Sequence, residues 1–255
     1  ITSDYNDNMV AVTGSYNAIA NCEFDGSGNV SWGPWIGGSY NLVHGVYSHD
    51  FGSADVDAGT TMQIVGSATP ANYNIVQYSI LRRGSHDTAL TKNNASYNQW
   101  MNNVMDGGWG TGWNLVSDSY ASCTYNLFEG NTVKDVGKNK TFTNFKDGID
   151  ISGDYNTVRR NLILDGNRTG TNSDPSPGIE ISRLTGYGAH HNLIYNNAIY
   201  HNGGRAIVFM DGTVNDNIIA NNIMYYNYGD TTYCPDSLNV HIRGVTTNTV
   251  VHHNQ

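Results

Sequence analysis

The chain has 255 residues, of which 14% are charged, with 29 glycines, 17 tyrosines and 5 prolines. A net charge of −9 and a pI near 5.3 argue against nucleic acid and anionic membranes as partners, because both call for basic surfaces. No run of 18 apolar residues is present to cross a membrane as a helix, and three distant cysteines, Cys22, Cys123 and Cys234, imply no disulfide framework.

The composition is rich in Gly, Asn, Thr, Val and Tyr and thin in Lys, Glu and Leu, which favours short strands between many turns over helices. From the amino terminus, Met9-Val10-Ala11-Val12 reads as a strand and leads into Tyr16-Asn17-Ala18-Ile19. The Tyr-Asn-apolar unit then recurs at Tyr40-Asn41, Tyr73-Asn74, Tyr97-Asn98, Tyr125-Asn126 and Tyr155-Asn156. It continues as variants at His191-Asn192, Asp216-Asn217 and Thr247-Asn248. The Asn-to-Asn spacings are 24, 33, 24, 28, 30, 36, 25 and 31 residues, a spread that suits coils of constant strands and variable loops.

Five residues after each of these asparagines runs a second column: Cys22, Val46, Ser79, Asn103, Asn131, Asn161, Asn197, Asn222 and His253. Its consecutive asparagines predict an internal ladder of buried amides at a tight bend, each satisfied by the next at a strand spacing of about 4.8 Å. Cys22 takes a ladder position as a small buried thiol. Ahead of each Tyr-Asn unit lies another alternating strand, such as Gly148-Ile149-Asp150-Ile151-Ser152 and Gly178-Ile179-Glu180-Ile181-Ser182, with the isoleucines predicted inside. The expected fold is therefore all-β, a parallel β-helix solenoid of about nine coils spanning residues 1–255 as one domain. No capping helix is evident at either end. The expectation is that the chain is part of a longer protein or has its ends covered by neighbours, with end-to-end self-association as a further option.

These repeats resemble the right-handed parallel β-helix superfamily of pectate-lyase-like proteins, over essentially the whole chain. The resemblance implies an extracellular, carbohydrate-active protein and leaves the reaction open between lyases, hydrolases, epimerases, tailspikes and adhesins. Stacking converts the strands into an outward file read as Gln63, Ala89, Asn114, Asp150, Glu180, Val208 and His241. Asn114, Asp150 and Glu180 form an oxygen-rich trio suited to Ca²⁺, and they resemble the calcium-binding file of pectate-lyase-like enzymes. In that family Ca²⁺ neutralises a uronate carboxylate while a Lys or Arg takes the C5 proton. Arg183 and Lys146 are the candidate bases here.

The longest loops, Asp50–Thr60, Asp135–Asp147 and Asp165–Pro177, are expected on the flank of this file, together with the stretch from Asp106 to Trp113. Trp109 and Trp113 are candidates for stacking on sugars or for packing beneath the glycine-rich loop. Arg82, Arg83, His86, Arg205 and His241 are candidates for contacting an acidic sugar. The bland alternative for Arg82, Arg83, His86 and Asp87 is a surface ion-pair group, with Asp50, Asp55 and Asp57 as partners one coil away. Two functions therefore stand at this point. One is a polysaccharide lyase acting on an acidic, uronate-containing polymer. The other is a non-catalytic structural, adhesive or filament-forming solenoid, for which the carboxylates would be dispensable.

Overall fold

A computed structural model describes residues 8–52, 59–117, 123–137, 147–166, 177–182, 189–210, 214–227, 239–243 and 246–255. The described residues form three parallel sheets of nine, nine and eight strands. The chain visits the sheets in rotation, so each strand pairs with the equivalent strand of the preceding and following coil. The result is an all-β parallel solenoid with no helix among the described residues.

Strand length follows the hydrophobic pattern. In the second and third sheets most strands are three residues long with a single inward side chain, such as Trp100, Phe128, Val158 and Ile194, or Leu81, Met105, Val133 and Ile163. First-sheet strands are up to six residues long and turn two side chains inward: Met62 and Ile64, Ala89 and Thr91, Trp113 and Leu115, Ile149 and Ile151. Register stacks these like on like into one continuous core. Trp113 belongs to that core. Its ring stacks on Phe128 at 4.4 Å, and its Nε1–H donates to Thr91 Oγ1 at 3.2 Å, the same hydroxyl that accepts from Trp100 Nε1–H at 3.0 Å. Trp113 is fully buried, so it packs inside and is not available to a sugar.

The bends have a common construction. A residue in the left-handed region precedes each ladder position: Tyr16, Tyr40, Tyr73, Tyr97, Tyr125, Tyr155, His191, Asp216 and Asn248 in one column, with φ from 53° to 62°. Such a residue interrupts the strand, so the next backbone N–H points at no carbonyl of the neighbouring coil. An asparagine Oδ1 from the following coil fills the gap. Asn98 N–H donates to Asn126 Oδ1 at 2.9 Å, Asn126 N–H to Asn156 Oδ1 at 2.8 Å, and Asn156 N–H to Asn192 Oδ1 at 2.8 Å. The second column repeats the device through Asn103, Asn131, Asn161, Asn197 and Asn222. A third, short column links Asn202 to Asn227.

Two expectations shift in the last coil. Asn248 and His253 take the left-handed positions, while Thr249 Oγ1 and Asn254 Oδ1 accept the ladder bonds from Asn217 and Asn222. At the other end Cys22 is half-buried, not enclosed. The left-handed tyrosines also stack outside the solenoid, from Tyr16 through Tyr155, with ring centroids 4.9–5.0 Å apart. His191 continues the stack at 4.6 Å.

Asn131 illustrates the energetics. It accepts from Asn103 N–H at 2.8 Å and from Asn103 Nδ2–H at 3.0 Å, and it donates to Trp100 O at 2.8 Å, all buried. Asn131→Ala strands these groups without partners and is expected to lower unfolding free energy by about 2–4 kcal/mol in urea titration. A loss under about 0.5 kcal/mol would show that the amide column is not what holds the coils in register.

Candidate functional site

The first sheet carries the outward file. Strand pairing aligns Trp35 with Gln63, Gln63 with Leu90, Leu90 with Asn114, Asn114 with Asp150, Asp150 with Glu180, Glu180 with Val208 and Val208 with His241. The file holds Leu90 where the sequence suggested Ala89. Ala89 instead faces the core between Met62 and Trp113, where a small side chain makes room for the indole. Asn114, Asp150 and Glu180 occupy adjacent strands, about 4.8 Å apart.

Asp147, three residues before Asp150, joins this group. Carboxylate oxygens of Asp147, Asp150 and Glu180 all lie within 4.8 Å of one another. Gly148 permits the arrangement. A Cβ there would sit 2.4 Å from Gly178 O and 2.6 Å from Ile163 Cγ2, so only glycine lets successive coils close this tightly between the two aspartates. Asp147 and Asp150 are buried and Glu180 is half-buried. Burial, and then the charge of nearby Asp87, push the Asp150 carboxyl up to about 7. Hydrogen bonds from Ser182 Oγ–H, at 2.9 Å, and from the Ile151 backbone act against that rise.

Asp87 completes the cluster from the preceding coil. It is fully buried, accepts from Asn114 Nδ2–H at 3.2 Å, and lies 2.7 Å from His86 Nδ1. With its amide nitrogen turned to Asp87, Asn114 is left with a buried Oδ1 that accepts no hydrogen bond among the described residues. The hydroxyls of Thr60 and Thr111, which flank Asp87 in register, are likewise buried without partners. Asp147, Asp150 and Glu180, with the unsatisfied Asn114 Oδ1 on the adjacent strand, form an oxygen-only donor set of the kind that suits a hard cation, and Asp87 borders it. Asp147 and Asp87 were not grouped with the trio by sequence. The signal for Asp147 was present in its i, i+3 spacing to Asp150 across a glycine.

The four basic and aromatic candidates near residue 83 separate. Arg82 lies on the third sheet beside Asp106 at 3.4 Å, and Asp106 also meets Lys134 at 3.5 Å. Arg83 donates from Nε and Nη2, one edge of its guanidinium, to the two carboxylate oxygens of Asp50. Its hydrogen bonds hold the Asp50 carboxyl down at about 2. His49 stands between Asp50 at 2.7 Å and Glu23 at 2.9 Å. Burial opposes charge on His49, but these hydrogen bonds and the nearby charges of Asp25 and Asp50 outweigh it and raise its pKa. This second acidic group already has Arg83 and His49 as partners. Trp109 is half-buried and lines a cleft with Asp25, Ser27, Asp50 and Arg83, away from the Asp150 centre. His86 is the member of the set that reaches that centre, through Asp87. Arg205 precedes the strand Ile207–Phe209, and its carbonyl accepts from Gly178 N–H at 2.9 Å. His241 lies two strands beyond Glu180. Arg183, Lys146, Asp55, Asp57 and Cys234 lie outside the described residues.

Solved structures share this architecture at low identity. The chain is similar to an alginate lyase from Paenibacillus sp. str. FPU-7, with TM-score 0.58 and 14% identity, over 93% of this chain and 76% of that one. It is similar to the tailspike protein gp49 of Acinetobacter baumannii bacteriophage Fri1, a capsular polysaccharide depolymerase, with TM-score 0.52 and 14% identity, over 93% and 39% of the two chains. Pectate lyase Pel9A aligns with TM-score 0.50 and 12% identity over 93% and 68%. No curated protein matches the chain in sequence. The family model described as "Right handed beta helix region" matches residues 119–254, more than half of the chain, and the protein belongs to that family.

Proposed function

We propose that the protein is an extracellular polysaccharide lyase that cleaves a uronate-containing polymer by β-elimination at the first-sheet acidic centre. The observation that carries this reading is the convergence of the buried Asp147 and Asp150 with the half-buried Glu180 beside the unpartnered Oδ1 of Asn114. A non-catalytic solenoid accounts for the amide columns and the tyrosine stack, but it gives no reason to bring Asp147 and Asp150, both buried, against the half-buried Glu180. The fold neighbours named as alginate lyase, pectate lyase and capsular polysaccharide depolymerase agree in substrate class.

The residues fit Ca²⁺. Asn114, Asp150 and Glu180, with Asp147, would hold it, and bound there it would neutralise a uronate carboxylate and acidify the adjacent C5 proton. The chain's own groups supply the rest. Asp87 orients His86 through Nδ1–H, which makes Nε2 the basic atom of the imidazole. His86 is the described residue best suited to take the C5 proton. The electron pair of the C5–H bond forms the C4–C5 double bond as the C4–O4 bond breaks, and the departing oxygen takes a proton from solvent. Arg183 and Lys146 remain candidates for the same role on sequence grounds. An imidazole is the better base near neutrality, because it does not have to lose a proton held far above that pH.

Ultraviolet absorbance of the unsaturated uronate, followed on pectate, alginate and glycosaminoglycans, tests the reading. Growth of the signal in Ca²⁺, its loss in chelator, and a drop of about 100-fold or more in kcat for His86→Ala are expected. A flat trace on every polymer sinks the lyase.

The pH dependence of stability is a second test. Asp150 titrates at about 7 when folded and near 3.9 when unfolded. Between these values the folded state holds a proton that the unfolded state has released, so metal-free stability declines as pH rises from about 4 through about 7. Ca²⁺ competes with that proton. Its gain in Tm should therefore be larger at about pH 8 than at about pH 5, and Asp150→Asn should flatten both effects. Calorimetry with Ca²⁺ or chelator reads this directly, and equal Ca²⁺ gains at the two pH values would count against Asp150 as a ligand.

A further inference from the structure

The outward file does not end at the acidic centre. Toward the amino terminus it continues through Leu90 and Gln63 to Trp35, and beside it Trp32 bridges Asn8 and Thr60. Trp32, Trp35, Gln63, Leu90, Lys92 and Asn8 line one groove on this face. The Trp35 ring is fixed in place. Its Nε1–H donates to Val65 O at 3.0 Å, and its six-membered ring lies over Gly37, where a Cβ would come within 2.8 Å. One face of the indole is thus committed to the backbone, and the half-buried ring forms part of the groove wall. Gln63 Nε2–H donates to Asn8 Oδ1 at 2.6 Å, which sets a polar floor beside the two indoles.

We infer that Trp35 and Trp32 form a sugar-stacking subsite that grips the uronate polymer about four residues away from the acidic centre. This deepens the proposed function and rests on it. Trp35 is four strand steps from Asp150, about 19 Å at the ordinary strand spacing. One linked pyranose advances roughly one strand spacing, so a polymer laid along the file places successive rings over Asn114, Leu90 and Gln63 before it meets the indoles. Fixed aromatic faces bordered by amides suit pyranose rings, whose faces are apolar and whose edges are hydroxylated.

Calorimetric binding of saturated galacturonate and alginate oligomers in Ca²⁺ tests the inference, with every protein compared, the wild type at Trp35 included, carrying His86→Ala so that the oligomers stay uncleaved. Oligomers of about three sugars are too short to span both sites, while oligomers of about six reach them. The wild type is expected to bind the longer oligomer roughly tenfold tighter than the shorter one. Trp35→Ala should abolish that gain and leave the short oligomer unchanged. Trp35→Phe, which keeps the ring and guards against a folding artefact, should retain most of the gain. Asp150→Asn should weaken both lengths alike. Long-oligomer binding by Trp35→Ala equal to wild type removes the subsite and leaves the acidic centre standing. Weakening by Trp35→Ala with no effect of Asp150→Asn removes the acidic centre and keeps the subsite. Binding of neither length on either polymer overturns both.

Discussion

Each coil turns through residues held at positive φ, and along the asparagine columns the bend leaves a backbone N–H with no strand partner. The amide of an asparagine one coil further on supplies the missing acceptor, and its own nitrogen caps a carbonyl of an earlier coil, as Asn131 does for Trp100. That exchange fixes which residue stacks on which. A slip of one position would leave the chain of amides unsatisfied and turn the isoleucines of the first sheet outward. The exact vertical alignment of the coils, and with it every file on the surface, depends on this one interaction.

Alignment concentrates chemistry. Carboxylates far apart in sequence, at positions 87, 147, 150 and 180, come together because the first sheet stacks their strands in order. Burial, and after it the charge of Asp87, show in the raised carboxyl of Asp150. The third-sheet group near His49 makes an informative contrast. There Arg83 pairs with Asp50, which is held low, and His49 lies among Glu23, Asp25 and Asp50. Two acidic clusters on one solenoid thus differ in the sign of the shift at their central carboxylates.

Much of this was legible in the sequence where one residue type had one role. Tyr-Asn spacing located the coils, and isoleucine alternation placed Asp150 and Glu180 in register. The reading failed where chemistry is shared between roles. Asparagine is favoured both at positive φ and as the ladder amide, so Asn248 was taken for the ladder member when it forms the bend and Thr249 accepts the bond. Thr88-Ala89-Leu90-Thr91 has no clear alternation, and only the bulk of Trp113 decides that Ala89 faces inward. Asp87 followed two arginines closely in sequence and looked like their surface partner. Both arginines lie on the third-sheet strand Ile80–Gly84, which bends at the left-handed Arg83, while Asp87 opens the first-sheet strand Asp87–Lys92. Trp32 and Trp35 carry no repeat signal in the sequence, and register puts Trp35 on the file with Trp32 beside it.

The most direct test of the central claim is a crystal structure grown with Ca²⁺, read by anomalous scattering. The account requires a peak coordinated by Asp150 and Glu180, with Asn114 Oδ1 at about 2.3–2.6 Å from the ion. A peak at Asp25, His49 and Asp50 instead, or none at either group at saturating Ca²⁺, would contradict it.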